Sequence, residues 1–231
     1  MSYRIILASA SPRRRELMHQ AGINCEIIPA VGEEISRKGD PSEFVRDLAE
    51  HKAREVFEKL LMDNHKAACE EIISRPVKEN PEAKTGLEHE DDNSCHDKLE
   101  QICCIGADTI VVHKGEILGK PSDREDAMRM IRSFQGDAHS VMTGVAILYT
   151  DGEGNLKKRV FFEETLVDVY SMTEEEILTY VNTGECDDKA GAYGIQGGFG
   201  IFIKGIRGDY NNVVGLPIAR LYHELCEAKV L

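Results

Sequence analysis

Apolar and polar positions change period repeatedly along the chain, and each change marks an element. Tyr3 to Ala8 is a short apolar run that reads as a buried strand. In Ser9-Ala10-Ser11-Pro12, Ser11 is a good N-cap and Pro12 suits the first helical position, where its missing N–H costs nothing. A helix is predicted from there to about Ala21, ending at Gly22. Cys25–Pro29 predicts a second strand. Pro41 to about Leu61 predicts a longer amphipathic helix, with Phe44, Leu48, Ala49, Ala53, Val56 and Phe57 on one side.

Residues 62–100 break this pattern. They hold eleven Asp/Glu against five Lys/Arg, nearly half of the net charge of −13. From Ser74 to Asp97 neither helical nor strand periodicity is present. The segment reads as an acidic surface insertion, largely disordered, with a helical start near Ala67–Ile73. Its His89 and its Cys95-His96 pair read as solvated loop residues rather than metal ligands.

Order returns at Gln101–His113, a strong strand. Asp123 or Ser122 caps a helix from Arg124 to about Phe134, which Gly136 ends. Ser140–Tyr149 and Arg159–Val169 read as strands joined by the turn Asp151-Gly152-Glu153-Gly154-Asn155. Thr173 and Glu176 form a capping box that opens a helix to Asn182. A glycine-rich stretch, Gly191–Gly200, precedes a short strand at Ile201–Lys204. Val213–Pro217 leads into a last helix ending near Ala228. Strands and helices interleave, which predicts an α/β fold with a mixed sheet. Length suits a single domain over 1–231, built as two lobes sharing a cleft.

Charge and cysteines narrow the class. A net charge of −13 argues against a nucleic-acid partner. No apolar run reaches the ~20 residues of a membrane span. The seven cysteines are irregularly spaced with no Cys-x-x-Cys, so reduced thiols and a cytoplasmic setting are expected, with Cys103 and Cys104 in the core.

Four clusters could carry chemistry. At Ser9 to Arg14 a strand ends and a helix begins, and free N–H groups there favour an anion. Arg13 and Arg14 place positive charge in the first turn, where it is disfavoured unless something anionic offsets it. On local sequence alone an ordinary solvated helix start is the plainer reading of this cluster. In Gly106-Ala107-Asp108-Thr109 a carboxylate lies within an apolar strand and needs a partner or a role, with Gly106 and Ala107 leaving space beside it. Lys120, fixed between Gly119 and Pro121, can point into the same cleft, although a solvated hairpin lysine is the plainer reading. In Lys189 to Gly198 the glycines permit close approach to a flat ligand, and Gln196 carries both the donor and the acceptor that a base edge requires. Tyr193 packs on the base or belongs to the core. Glu33 and Lys52, each alone, read as surface charges.

Together these stretches resemble the Maf family. The family signature Leu-Ala-Ser-x-Ser-Pro-Arg-Arg is matched by Leu7–Arg14, and Gly-Ala-Asp-Thr by Gly106–Thr109. Lys-Pro is matched by Lys120-Pro121, Lys-Ala-Gly-Ala-Tyr-Gly-Ile-Gln-Gly by Lys189–Gly197, and Asn-Val-Val-Gly-Leu-Pro by Asn212–Pro217. The five occur in order and span the chain outside 62–100. The resemblance implies a two-lobed fold like that of inosine triphosphate pyrophosphatases. It implies hydrolysis of a nucleoside triphosphate to the monophosphate and pyrophosphate with a divalent cation, Mg²⁺ or Mn²⁺. Arg13, Thr109 and Gln196 match the branch selective for dTTP and UTP.

The roles implied are Asp108 as general base and metal ligand, and Glu33 as a second metal ligand. Arg13, Arg14 and Lys52 would hold the β and γ phosphates, Lys120 would lie near the scissile bond, and Ser9 would add a hydrogen bond. Arg13 and Asp108 are thus expected to converge on one triphosphate. A homodimer is a further expectation from the resemblance. Two departures stand out: the long acidic insertion, and Gly198-Phe199-Gly200 after the Gln-Gly pair. Two other readings remain open at this point, a non-catalytic cell-division or septum regulator that acts by binding a partner, and a purine-directed house-cleaning pyrophosphatase.

Overall fold

A computed structural model describes residues 3–32, 39–74 and 101–231, with side chains described outside 64–74. The elements are β1 (Arg4–Leu7), α1 (Pro12–Gln20), β2 (Glu26–Ile27), α2 (Pro41–Ser74), β3 (Ile102–His113), β4 (Glu116–Leu118) and α3 (Arg124–Phe134). After them come β5 (Ala138–Thr150), β6 (Leu156–Val169), α4 (Glu174–Asn182), β7 (Ile203–Arg207), α5 (Tyr210–Val214) and α6 (Ile218–Glu227). Short 3₁₀ turns stand at Ala190–Ala192 and Gly198–Phe202.

One mixed sheet carries these elements, in the order β2-β1-β3-β5-β6-β7, with β4 also paired to β3. β1 runs parallel to both β2 and β3, and the other pairings are antiparallel. The pairing of β3 is uneven, and this creates the site. On one side β5 follows it from Cys103 to Val112. On the other, β1 covers Arg4 opposite Ile102 through Leu7 opposite Ile105, and β4 covers Val111 to His113. Among the described residues no strand pairs with 106–110 on that edge, so Asp108 and Thr109 lie in a gap.

Side chains alternate across the sheet, so each face has its own core. On one face α2 packs Ala49, Ala53, Val56 and Phe57 against Ile6, Cys104, Ala146 and Leu148. On the other, Leu17 and Met18 of α1 and Leu221 and Leu225 of α6 cover Cys103, Ile105, Val145 and Ile147. Further along that same face, α3, α4 and the 3₁₀ turns build a third core on Val111, Val141 and Val167 around Phe134 and Phe199. A polar ladder separates the last two. Thr109 Oγ1 lies 3.0 Å from Thr143 Oγ1, Thr143 donates to the Asn212 carbonyl at 3.0 Å, and Asn212 Nδ2 donates to Thr165 Oγ1 at 3.0 Å. Thr143, Thr165 and Asn212 are fully buried, so these bonds satisfy groups that water cannot reach.

Two glycines set the distance of α2. A Cβ on Gly106 would lie 2.3 Å from the Ala49 carbonyl oxygen, and one on Gly144 would lie 2.2 Å from that of Val45. Both are nearer than any real contact, so the helix backbone rests directly on the sheet. The space beside Asp108 that the sequence suggested for a ligand is thus taken, at Gly106, by α2.

Other elements depart from expectation for local reasons. α2 does not stop near Leu61 but continues to Ser74, because no Gly or Pro interrupts it before Pro76. The strand expected at Ile201–Lys204 begins at Ile203, since the preceding residues form a 3₁₀ turn that buries Phe199. The last helix follows Pro217 as expected, as α6, but a further short helix, α5, precedes it and ends at Gly215 (φ 124°). The remainder of the acidic insertion, 75–100, lies outside the described residues, with His89, Cys95 and His96.

Candidate active site

The site begins where β1 ends and β3 continues. Ser11 caps α1, its hydroxyl accepting from the Arg14 N–H at 3.4 Å, and Ser9 Oγ accepts from the Ser11 N–H at 3.3 Å. The helix starts at Pro12 as the Ser11-Pro12 pair led one to expect, and the loop before it lies beside the gap in the edge of β3.

Arg14 closes the gap from within. Its guanidinium donates to Ser9 Oγ (3.1 Å), the Ala107 carbonyl (2.8 Å), Thr109 Oγ1 (3.0 Å) and the Gly215 carbonyl (2.7 Å). It serves an edge carbonyl of β3 that, among the described residues, no strand covers. Four such bonds to the protein make Arg14 a brace for the loop.

Asp108 points to the opposite face of the sheet, toward α2. Its carboxylate is 12% exposed and forms an ion pair with Lys52 through Oδ1. The second oxygen, Oδ2, has no hydrogen-bond partner among the described residues. Lys52 is therefore no surface charge: α2 seats close to the sheet and carries the ammonium group to the carboxylate. Glu33, expected as a metal ligand, lies outside the described residues.

Arg13 and Gln196 meet elsewhere. Both line an open depression of about 300 Å³ on the outer side of α1, with Glu16 and Gln20 on its wall. Asp108 is not among the residues that line this depression. Arg13 is also near Asp188. The Asp188 carboxyl is held below its ordinary range, first by a hydrogen bond from Lys189 (2.7 Å) and to a lesser degree by the charge of Arg13. Lys120 is exposed, and its loop is tied to the glycine-rich segment by the Gly191 N–H donating to the Gly119 carbonyl at 2.9 Å.

Tyr193 belongs to the core. It is buried against Phe134 and Phe199, and its hydroxyl lies 2.7 Å from His139 Nε2. Burial pulls the His139 pKa down to about 3, so its imidazole is neutral in ordinary buffers. Burial likewise pushes the Cys104 thiol up to about 12, which makes it an inert core residue.

Three participants are not evident from sequence. Thr143 could have been found by the criterion that singled out Asp108, a polar residue in an apolar strand. Asn212 lies in a recognisable motif, but its ladder bonds need the folded sheet. Glu185, whose carboxylate accepts from the Gly198 N–H at 2.8 Å, precedes the glycine-rich segment without any local mark.

Fold and site together define a mixed-sheet α/β protein that sets a helix start beside a partly buried Asp–Lys pair. A family model described as Maf-like protein matches residues 4–228. The chain belongs to this family, the Maf-like proteins. A protein of Agathobacter rectalis named dTTP/UTP pyrophosphatase is 46% identical over 221 residues, covering 96% of this chain and 95% of that protein. Proteins of the same name from Bacillus cereus (strain G9842) and Thermoanaerobacter sp. are 41% and 39% identical, each over at least 95% of this chain and at least 93% of the relative. A nucleoside-triphosphatase / dITP/XTP pyrophosphatase of Mycobacterium abscessus superposes with a TM-score of 0.33 at 13% identity, covering 99% of this chain and 97% of that one, a likeness too slight to bear on the fold.

Proposed function

We propose that this protein hydrolyses dTTP and UTP to the nucleoside monophosphate and pyrophosphate, in the cytoplasm. The observation that carries the reading is the gap in the edge of β3, flanked by the Ser9–Arg14 loop through the Ala107 carbonyl and by the Asp108–Lys52 pair on the α2 face. The name borne by relatives that align along nearly the whole chain supports it.

In this reading a water attacks the α-phosphorus, the bond to the bridging oxygen breaks, and pyrophosphate leaves. Asp108 accepts the water's proton on Oδ2, while Lys52 fixes the carboxylate through Oδ1 and adds positive charge beside the reacting group. Arg14 holds Ser9 and Thr109 in place so that the loop is set before substrate arrives. Arg13 and the start of α1 attract the polyphosphate, Lys120 approaches from the β4 side, and Gln196 reads the base.

Among the described residues no cluster of three ligating side chains stands ready for a metal, and Asp108 is the described carboxylate proposed to hold a hard divalent cation such as Mg²⁺ or Mn²⁺. Asp108 offers a carboxylate oxygen, and Mg²⁺ commonly takes one or two carboxylates together with substrate phosphates and waters. Bound there, the cation would neutralise charge on the phosphates. Glu33 is proposed as the second carboxylate.

A panel of dTTP, UTP, CTP, 7-methyl-GTP and ITP with Mg²⁺ or Mn²⁺ tests the reading, scored by release of monophosphate and pyrophosphate. Preference for dTTP and UTP supports it, and hydrolysis confined to the purine nucleotides overturns it. Gln196→Glu is expected to lower selection of dTTP over CTP by about tenfold while slowing turnover less, because a carboxylate cannot donate the hydrogen bond that an amide can. Unchanged base selection in that variant would remove Gln196 from base reading.

A further inference from the structure

The glycine-rich segment is shaped by a carboxylate of the protein. A Cβ on Gly197 would lie 1.9 Å from Glu185 Oε1, and one on Gly194 would lie 2.8 Å from Lys189 Cε. A side chain at either position would have to push aside the Glu185 or Lys189 side-chain end as it now packs beneath the loop, so the glycines do not by themselves call for a flat ligand.

Hydrogen bonds tie both ends of the same loop. The Gly198 N–H donates to Glu185 Oε2 at 2.8 Å. The Gly194 N–H donates to the Tyr180 hydroxyl at 3.2 Å, and that hydroxyl donates to Glu185 Oε1 at 3.4 Å. One carboxylate therefore brackets residues 195–197, directly at one end and through Tyr180 at the other. Lys189 Nζ donates to the Glu185 carbonyl at 2.6 Å and steadies that residue's backbone. Tyr180 is held in turn by the core, its ring 5.0 Å from that of the fully buried Phe199. Gln196 sits at the tip of the bracketed loop, exposed, facing the depression it shares with Arg13.

We propose that Glu185, acting with Tyr180, is a positioning residue that sets the Gln196 loop for base selection. The inference rests on the reading of Gln196 as the base-contacting residue. An amide can discriminate between bases only if its donor and acceptor are held in one place, and a displacement of ~1 Å from a distant change can cost as much as ~100-fold. The bracket supplies this constraint without touching the nucleotide.

Three variants test it: Glu185→Ala, Glu185→Gln and Tyr180→Phe. Amide hydrogen exchange at Gly194 and Gly198 is measured together with KM and kcat for dTTP and CTP. Glu185→Ala is expected to speed exchange at both amides, to raise KM for dTTP by about tenfold, and to lower kcat by less. Glu185→Gln keeps one acceptor and should retain most of the selection. Tyr180→Phe keeps the ring in the core, removes the Gly194 bond, and gives the same answer if Glu185→Ala does not fold.

Exchange and KM at wild-type values in Glu185→Ala would overturn the proposal. So would a loss as large in Glu185→Gln as in Glu185→Ala, or a shift of base selection in Gln196→Glu that Glu185→Ala lacks. Faster exchange with base selection unmoved in both Glu185→Ala and Gln196→Glu would instead reject the reading of Gln196 and leave the bracket standing.

Discussion

Asp108→Asn is expected to lose dTTP turnover by about 10²–10⁴-fold, the usual effect of removing a general base. The fold should survive. Asparagine keeps an oxygen at the position that accepts from Lys52, and the Lys52 side chain, 21% exposed, retains some contact with water. No buried charge is left wholly without solvation, so the severe penalty of breaking a dry ion pair does not arise. Stopped assays with purified protein, paired with a thermal melt, separate the two effects. Turnover above about a tenth of wild type would end the assignment of Asp108 as base.

Gly106→Ala is expected to damage stability and rate together. The added carbon would meet the Ala49 carbonyl oxygen at 2.3 Å and the Ala53 nitrogen at 2.6 Å, both of them helix backbone. Neither can turn aside as a side-chain tip would, so α2 must lift as a body. Overpacking of this kind costs roughly 1–3 kcal/mol. In a chain of this length that lowers Tm by roughly 2–12 °C. Lys52 lies between the two contacted residues on α2, so its distance from Asp108 grows as the helix lifts. We therefore expect kcat to fall at temperatures well below the melt. A variant with wild-type Tm and wild-type kcat would mean that α2 accommodates the methyl without moving, and that the close seating of the helix does not govern the pair.

The parts of this molecule that were legible beforehand are those where a residue conflicts with its immediate neighbours. Asp108 among Val, Ile and Cys announces a partner, and Ser11-Pro12 announces a helix start. Arg14 does not, because its role depends on Gly215, which lies 201 positions away in the sequence. Local sequence shows a basic first turn, and only the folded sheet shows which carbonyls it serves. Lys52 was misread for a similar reason: nothing in the helix itself reveals that Gly106 and Gly144 let it lie against the sheet. The glycine-rich run was visible, but the carboxylate that packs beneath it was not. Its helix boundary aside, α2 was predictable from periodicity, and its extension to Ser74 shows how little a chain without Gly or Pro marks the end of a helix.

The strands β3, β5 and β6, of 12, 13 and 14 residues, run beneath both cores on the face where the Thr–Asn ladder divides them. Neither end of the molecule owns its own floor. Melting either end must tear backbone bonds from strands that the other end still requires, so the two stand or fall as one cooperative unit. A polar seam can cross the interior of such a protein without becoming a line of fracture.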